Sequence, residues 1–254
     1  MLALLIDTAT AAVTVGVVDY QTQDATAPNP AAGPSVAVLA ERVVVDARRH
    51  GETLAPAVAE ALAEAGVAPG ELTAVIAGVG PGPFTGLRVG LVTAAAFADA
   101  LGLPNYPVCT LDGVAAAAVA GRVPLLRPPA PAAGGGGGPL LVATDARRRE
   151  VYWASYDAAG RRQQGPDVAK PAALRARIDA GELGAGLTAV GSGAALYADQ
   201  LGLPVAGPLY PTVAALAGLA ARRVLDRAPG EPLTPLYLRR PDAVEPAARK
   251  PVLS

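Results

Sequence analysis

The sequence contains one cysteine and one histidine in 254 residues, and its only lysines are Lys170 and Lys250. Cys109 alone allows neither an intrachain disulfide nor a cysteine-based metal site, which fits a reducing, cytoplasmic setting. His50 alone leaves no second imidazole for a paired-histidine metal site. Aromatic residues make up 4% of the chain, charged residues 17%, and the net charge is −1. No global attraction to nucleic acid or to an anionic membrane follows from that balance. The opening stretch MLALLID lacks a basic region and reaches Asp7 quickly, so a signal peptide is not expected. The longest apolar helical candidate, Val89 to Ala98, lies between Arg88 and Asp99 and is too short to span a bilayer.

What is abundant is core-forming material, at 52% hydrophobic residues, enough to exclude a disordered chain. Residues 2–6, 12–18 and 36–46 read as three strands of an antiparallel meander. A helix follows from about Gly51 to Ala65, with Leu54, Val58, Ala61, Leu62 and Ala65 on one stripe. Ala55, Ala59 and Ala63 form a second, smooth face. Strand 73–79, a helix to Leu101, strand 105–109 and helix 111–120 complete a first half, residues 1–121. Residues 122–139 are a Pro- then Gly-rich linker without a core pattern. The second half, 140–254, restarts with strands 140–144 and 150–157, helix 171–180, strand 187–191 and a helix from Thr212 to Asp226. The β-β-β-α-β-α-β-α order predicts mixed sheets flanked by helices, and the second half hints at duplication.

The stretch GVGPGPFTGLRVG, Gly78 to Gly90, looks like a phosphate loop but fails the tests for one. Gly86 is followed by Leu87 and Arg88 rather than Lys and Ser/Thr, and the dinucleotide spacing is broken at Pro83 and Thr85. Pro81 and Pro83 each remove a backbone donor. The turn therefore reads as the launch of a helix. Between Phe84 and Leu101 only Arg88 and Asp99 are charged, and Gly86, Gly90 and Ala94 recur every fourth residue. Such a line leaves a flat groove for a neighbouring backbone. The helix is either a central core helix or one shared with a partner subunit.

Four motifs, LLIDTAT at 4–10, GPGPFTGLRVG at 80–90, DARRREVYWASY at 145–156 and PLYLRRPDA at 235–243, together resemble the bacterial TsaB family of tRNA threonylcarbamoyladenosine biosynthesis subunits. The likeness covers essentially the whole chain. It departs at Pro83, where the family has Ser, and in the stretches 20–34 and 121–139. The resemblance implies an α/β, two-lobed actin/sugar-kinase/Hsp70-like (ribonuclease H-like) fold. It implies a non-catalytic scaffold that pairs with the catalytic homologue TsaD, joins the ATPase TsaE, self-associates as a homodimer and meets tRNA through the complex. The pairing helices correspond to about 51–65 and 84–101, with Leu54, Val58, Leu62, Gly86, Gly90, Ala94 and Phe97 as candidate interface residues.

The same resemblance places the catalytic homologue's H-x-x-x-H metal pair on Thr110 and Val114, which cannot replace two imidazoles. Its glycine-rich second phosphate segment falls on ATDARRR at 143–149. Asp7, Thr8 and Thr10 form a possible vestigial nucleotide site. No cofactor of its own is expected, and ATP with magnesium would sit at a shared interface. Arg147, Arg148 and Arg149 beside Tyr152 and Trp153 read as a solvated turn with half-buried aromatics, or else as a tRNA patch. Ser192 lacks a nearby histidine in sequence, so hydrolase chemistry is not expected. The alternative function is a free-standing ATP-binding kinase-like enzyme or a peptidase.

Overall fold

The computed structural model of the protein describes residues 1–21, 35–46, 48–121, 125–127 and 138–239. The first lobe runs β1 (Leu2–Asp7), β2 (Ala12–Gln21), β3 (Ser35–Val45), α1 (His50–Ala65), β4 (Ala74–Gly78), α2 (Phe84–Leu101), β5 (Asn105–Val108) and α3 (Thr110–Ala120). The second comprises β6 (Leu125–Arg127), β7 (Leu140–Asp145), β8 (Val151–Tyr156), β9 (Arg162–Ala169), α4 (Pro171–Asp179), β10 (Thr188–Val190), α5 (Ser192–Leu196), α6 (Ala198–Leu201), β11 (Val205–Ala206) and α7 (Val213–Leu225). The sheet orders are β3-β2-β1-β4-β5 and β6-β11-β10-β7-β8-β9. Without β6, the second order is the first one repeated. In each lobe a meander of three antiparallel strands is followed by two strands parallel to its first strand. The duplication that the element order hints at is present, in the ribonuclease H-like arrangement that the resemblance implies.

Alternation along β1 explains how one sheet serves two cores. Leu4 and Ile6 face α1 and α2, joining Val13, Val15, Leu54, Val58, Leu87 and Leu91. Ala3 and Leu5 face the other way, onto Val213, Leu216 and Ala220 of α7. That second contact is an exchange between lobes. Helix α7 follows the second sheet in sequence yet packs on the first. Helix α3 follows the first sheet yet packs on the second, where Leu111, Val114 and Ala115 meet Leu140, Val142 and Tyr152. The two exchanged helices touch between the sheets, where a Cβ at Gly113 would lie 2.4 Å from Leu216 Cδ2. Helices α4, α5 and α6 cover the outer face of the second sheet, contributing Leu174, Ala194 and Leu201.

Helices α5 and α6 and strands β9 and β11 have no counterpart in the sequence expectation. Strand β9 is polar (RQQGPDVA) because it is a sheet edge with a half-wet face. Strand β6 lies inside the stretch read as a linker and pairs antiparallel with β11. The rest of 122–139, apart from Gly138 and Pro139, lies outside the described residues, as does 22–34 within the expected insert. Helix α2 lies where the sequence placed it, but over all 18 of its residues, at mean hydropathy 1.3, it is long and apolar enough on those grounds to cross a membrane, where the stretch 89–98 alone is too short. Here its Leu87, Gly90, Leu91, Ala94 and Ala98 are buried against the first sheet.

Because α7 belongs to one lobe by sequence and to the other by packing, Leu216→Ala should weaken both together. We expect a loss of about 2–5 kcal/mol, with urea unfolding remaining a single transition by tryptophan fluorescence and by circular dichroism. Two separated transitions would mean that the lobes are independent.

Candidate functional site

The DTAT segment ends β1 and turns into β2, and the glycine block wraps around it. A Cβ at Gly78 would lie 1.9 Å from Asp7 Oδ2, and one at Gly82 2.1 Å from the Ala9 carbonyl oxygen. At Gly86 it would be 3.0 Å from Thr8 O, and at Gly90 2.2 Å from Thr8 Oγ1. Four glycines at intervals of four thus form a slot for residues 7–9. Thr8 uses the space: its hydroxyl donates to Gly86 O (2.7 Å) and accepts from the Gly90 N–H (3.0 Å). Groups that would bond each other within α2 are therefore bridged by a side chain from the β1–β2 turn.

The glycine line was expected to receive a partner helix, and this is a correction: Gly86 and Gly90 face the chain's own β1–β2 turn. Leu54, Val58, Leu62 and Ala94 are likewise buried in the first core, and Phe97 packs half-buried against it. These two helices instead leave exposed Ala55, Ala59 and Ala63 of α1 and Val92, Ala95 and Ala96 of α2. Val92 retains 67% of its surface.

Asp7 is buried, with Oδ1 accepting from the Ala9 N–H (2.9 Å) and Oδ2 from the Thr110 hydroxyl (2.7 Å). Burial raises its pKa from 3.8 to about 6, partly offset by those two bonds and by His50. Both oxygens are already engaged and no solvent-facing side is left, so the carboxylate does not suit a hydrated magnesium ion. The positions on which the resemblance would place a metal pair hold Thr110, spent on Asp7, and Val114, buried under the second sheet.

A cleft of about 260 Å³ lies where the lobes meet, lined by Thr10, Ala11, His50, Pro83, Phe84, Thr85, Gly86, Asp145, Arg147 and Ser192. Of the three residues expected to mark a nucleotide site, Thr10 lines this cleft; Asp7 and Thr8 point into the protein. Thr10 spends its hydroxyl on the Ala12 N–H (3.1 Å). His50 and Ser192, far apart in sequence, do share the cleft. His50 Nε2 lies 2.9 Å from the Thr10 carbonyl, an acceptor only, so that nitrogen carries the proton and cannot serve as a base. Burial pushes the Cys109 thiol up to about 11, which keeps it protonated.

Opposite Thr10, the β7–β8 turn carries Arg147, Arg148 and Arg149 at φ 62°, 54° and 61°. Three consecutive side-chain-bearing residues in the left-handed region cost about 1–2 kcal/mol each. Asp145 holds the turn by accepting from the Arg147 N–H at 3.0 Å. Tyr152 and Trp153, expected to be half-buried, are buried. The Tyr152 hydroxyl reaches across the lobes to Gly82 O at 3.3 Å.

A family model described as TsaD, tRNA N6-adenosine threonylcarbamoyltransferase, matches residues 38–185. The chain belongs to this family. Within it the chain is TsaB-like. An uncharacterized protein of Mycobacterium leprae is 44% identical over 242 residues, which are 95% of this chain and 56% of that one. The chain therefore spans little more than half of that relative. An uncharacterized protein of Mycobacterium tuberculosis is 42% identical over 240 residues, 94% of this chain and 92% of that one. Among solved structures, a Pseudomonas aeruginosa protein described as similar to peptidase YeaZ superposes with a TM-score of 0.67 at 26% identity, covering 94% and 99% of the two chains. The two-lobed actin-like fold and a link to tRNA threonylcarbamoyl modification follow.

Two outcomes are expected. Gly90→Ala should destabilise the fold by about 1–3 kcal/mol, because its methyl meets the Thr8 hydroxyl; pairing it with Thr8→Ala should recover part of the loss in urea titrations. Folded Asp7 holds its proton more tightly than unfolded Asp7, so stability falls as pH rises from about 4 to 6, by about 3 kcal/mol at most. Asp7→Asn should accordingly raise Tm at pH 8 and leave it nearly unchanged at pH 4.

Proposed function

We propose that this chain is the non-catalytic scaffold of the tRNA threonylcarbamoyladenosine-forming complex, pairing with a TsaD-like catalytic subunit through the outward face of α1 and α2. The observation that carries this reading is the state of α2. It is apolar almost all round, yet only Leu87, Gly90, Leu91, Ala94 and Ala98 are buried. A helix of that composition belongs in an interior, and a contiguous apolar surface marks an interaction site. Ala55, Ala59 and Ala63 beside it offer small side chains that allow close helix approach. The engaged Asp7 carboxylate and the Thr110 and Val114 side chains support a chain without metal or phosphoryl chemistry of its own.

On this reading the same face serves a homodimer when the catalytic subunit is absent. ATP and magnesium belong to an interface shared in the complex, with a TsaE-like ATPase as third member. tRNA reaches the chain within that assembly, which works in the cytoplasm.

Val92→Arg tests it. The side chain is exposed, so the fold should keep its stability within about 0.5 kcal/mol, whereas an unpaired charge buried in a helix–helix interface should weaken pairing at least about tenfold. Co-purification with the TsaD-like subunit, followed by size-exclusion chromatography, reads the outcome. Equal pairing by wild type and variant would overturn the assignment of this face, and no pairing by either would overturn the scaffold role.

A further inference from the structure

The mouth of the interlobe cleft carries a second set of side chains. After α7 the chain crosses from one lobe to the other. The Glu231 N–H donates to Asn105 O and the Leu236 N–H to Val79 O, both at 2.9 Å on the first lobe. Arg239 then donates to Ala146 O at 3.2 Å and pairs with Glu150 on the second. Between these anchors Tyr237 stacks on Phe84, with centroids 5.1 Å apart and an interplanar angle of 30°. The Arg88 guanidinium sits 3.7 Å from the Phe84 centroid, and its Nε donates to the Tyr237 hydroxyl at 2.9 Å. Phe84 and Tyr237 remain 40% and 42% exposed, and Arg88 is exposed as well.

Phe84 lines the cleft on one side and Arg147 on the other. The crossing segment joins the two, since Arg239 binds the carbonyl of Ala146, next to Arg147. Among the described residues, Arg88, Arg147, Arg148, Arg149 and Arg239 gather at the mouth with Asp145 and Glu150, and Arg148 is engaged as well. Asp145 lies 3.8 Å from Arg147, and Glu150 is held by Arg239. Among the described residues, arginine side chains thus gather at one rim, beside exposed aromatic rings. Three of those arginines stand on a left-handed turn, a backbone cost of the kind found at functional sites.

We propose that this rim is a contact surface for single-stranded RNA, with unpaired bases on the Phe84–Tyr237 pair and phosphates against Arg88 and Arg147–Arg149. This rests on the reading that the chain works in a tRNA-modifying assembly. It adds a direct contact where that reading has tRNA meet the chain only through the complex. Aromatic faces accept unstacked bases of any sequence, and arginines track the backbone. A paired helix offers no splayed base to the rings, so the rim favours a loop over a duplex. Tyr152 and Trp153, buried under the turn, take no part.

The test uses the full chain and a fluorescent anticodon stem–loop RNA with adenosine beside the anticodon, read by anisotropy across a salt series. Wild type should bind it more tightly than a fully paired RNA of equal length. Combined Arg147→Gln, Arg148→Gln and Arg149→Gln should weaken binding at least about tenfold and lower the salt slope by about 2. Tyr237→Ala should weaken binding roughly tenfold at an unchanged salt slope. Pairing with the TsaD-like subunit, measured separately, should persist in both variants. Wild-type RNA affinity in the triple variant, or no binding by wild type, would overturn the proposal. Loss of subunit pairing with RNA affinity retained would make the rim a protein contact and would equally overturn it, while leaving the scaffold reading intact.

Discussion

The structure depends on how closely α2 lies against the end of β1. Backbone and side-chain atoms of Asp7, Thr8 and Ala9 occupy space that a methyl group at Gly78, Gly82, Gly86 or Gly90 would take. The contact is polar as well as tight, because the Thr8 hydroxyl joins Gly86 O to the Gly90 N–H. The buried carboxylate of Asp7 is bound from the other side by Thr110, at the start of α3. One turn therefore ties together the first strand, the long apolar helix and the helix that crosses to the second lobe. The resulting site is filled by the protein itself, and its donors and acceptors are used before any ligand arrives.

The exchange of α3 and α7 ties the lobes in the same way at larger scale. Each sheet is completed by a helix whose sequence neighbours belong to the other sheet. The segment 231–239 adds a third connection, with apolar contacts from Leu233 and Leu236 on the first core and from Leu238 on the core between α3 and the second sheet. Lobes joined by packed helices on the inside and a crossing segment on the outside suit a chain that presents fixed surfaces.

Much of this was legible in the residues. Apolar and β-rich runs placed β1, β2, β4, β7 and β8, and helical spacing placed α1, α2 and α7 to within a residue or two. The polar edge strand β9 was not legible, because RQQGPDVA buries no residue fully, is polar on both faces and carries Gly and Pro. Nor was β6, three residues among prolines and glycines. The Gly86–Gly90–Ala94 line was visible, but its role was misread. An internal slot and an intermolecular groove need the same small residues at the same spacing, and only the position of Thr8 distinguishes them. Likewise Leu54, Val58 and Leu62 form a stripe that marks the core side of α1, and the side left exposed is the one bearing Ala55, Ala59 and Ala63.

Local chemistry along the chain determined the element order, the duplicated α/β architecture, the shortage of metal-binding side chains and the unusual apolarity of α2. Those properties follow from composition and period, which act over a few residues. The tertiary structure decided what the glycines accommodate, which lobe each third helix completes, and that His50, Ser192, Phe84 and Arg147 share one cleft. These depend on contacts between residues 40 to 140 or more positions apart, whose pairing no local pattern encodes.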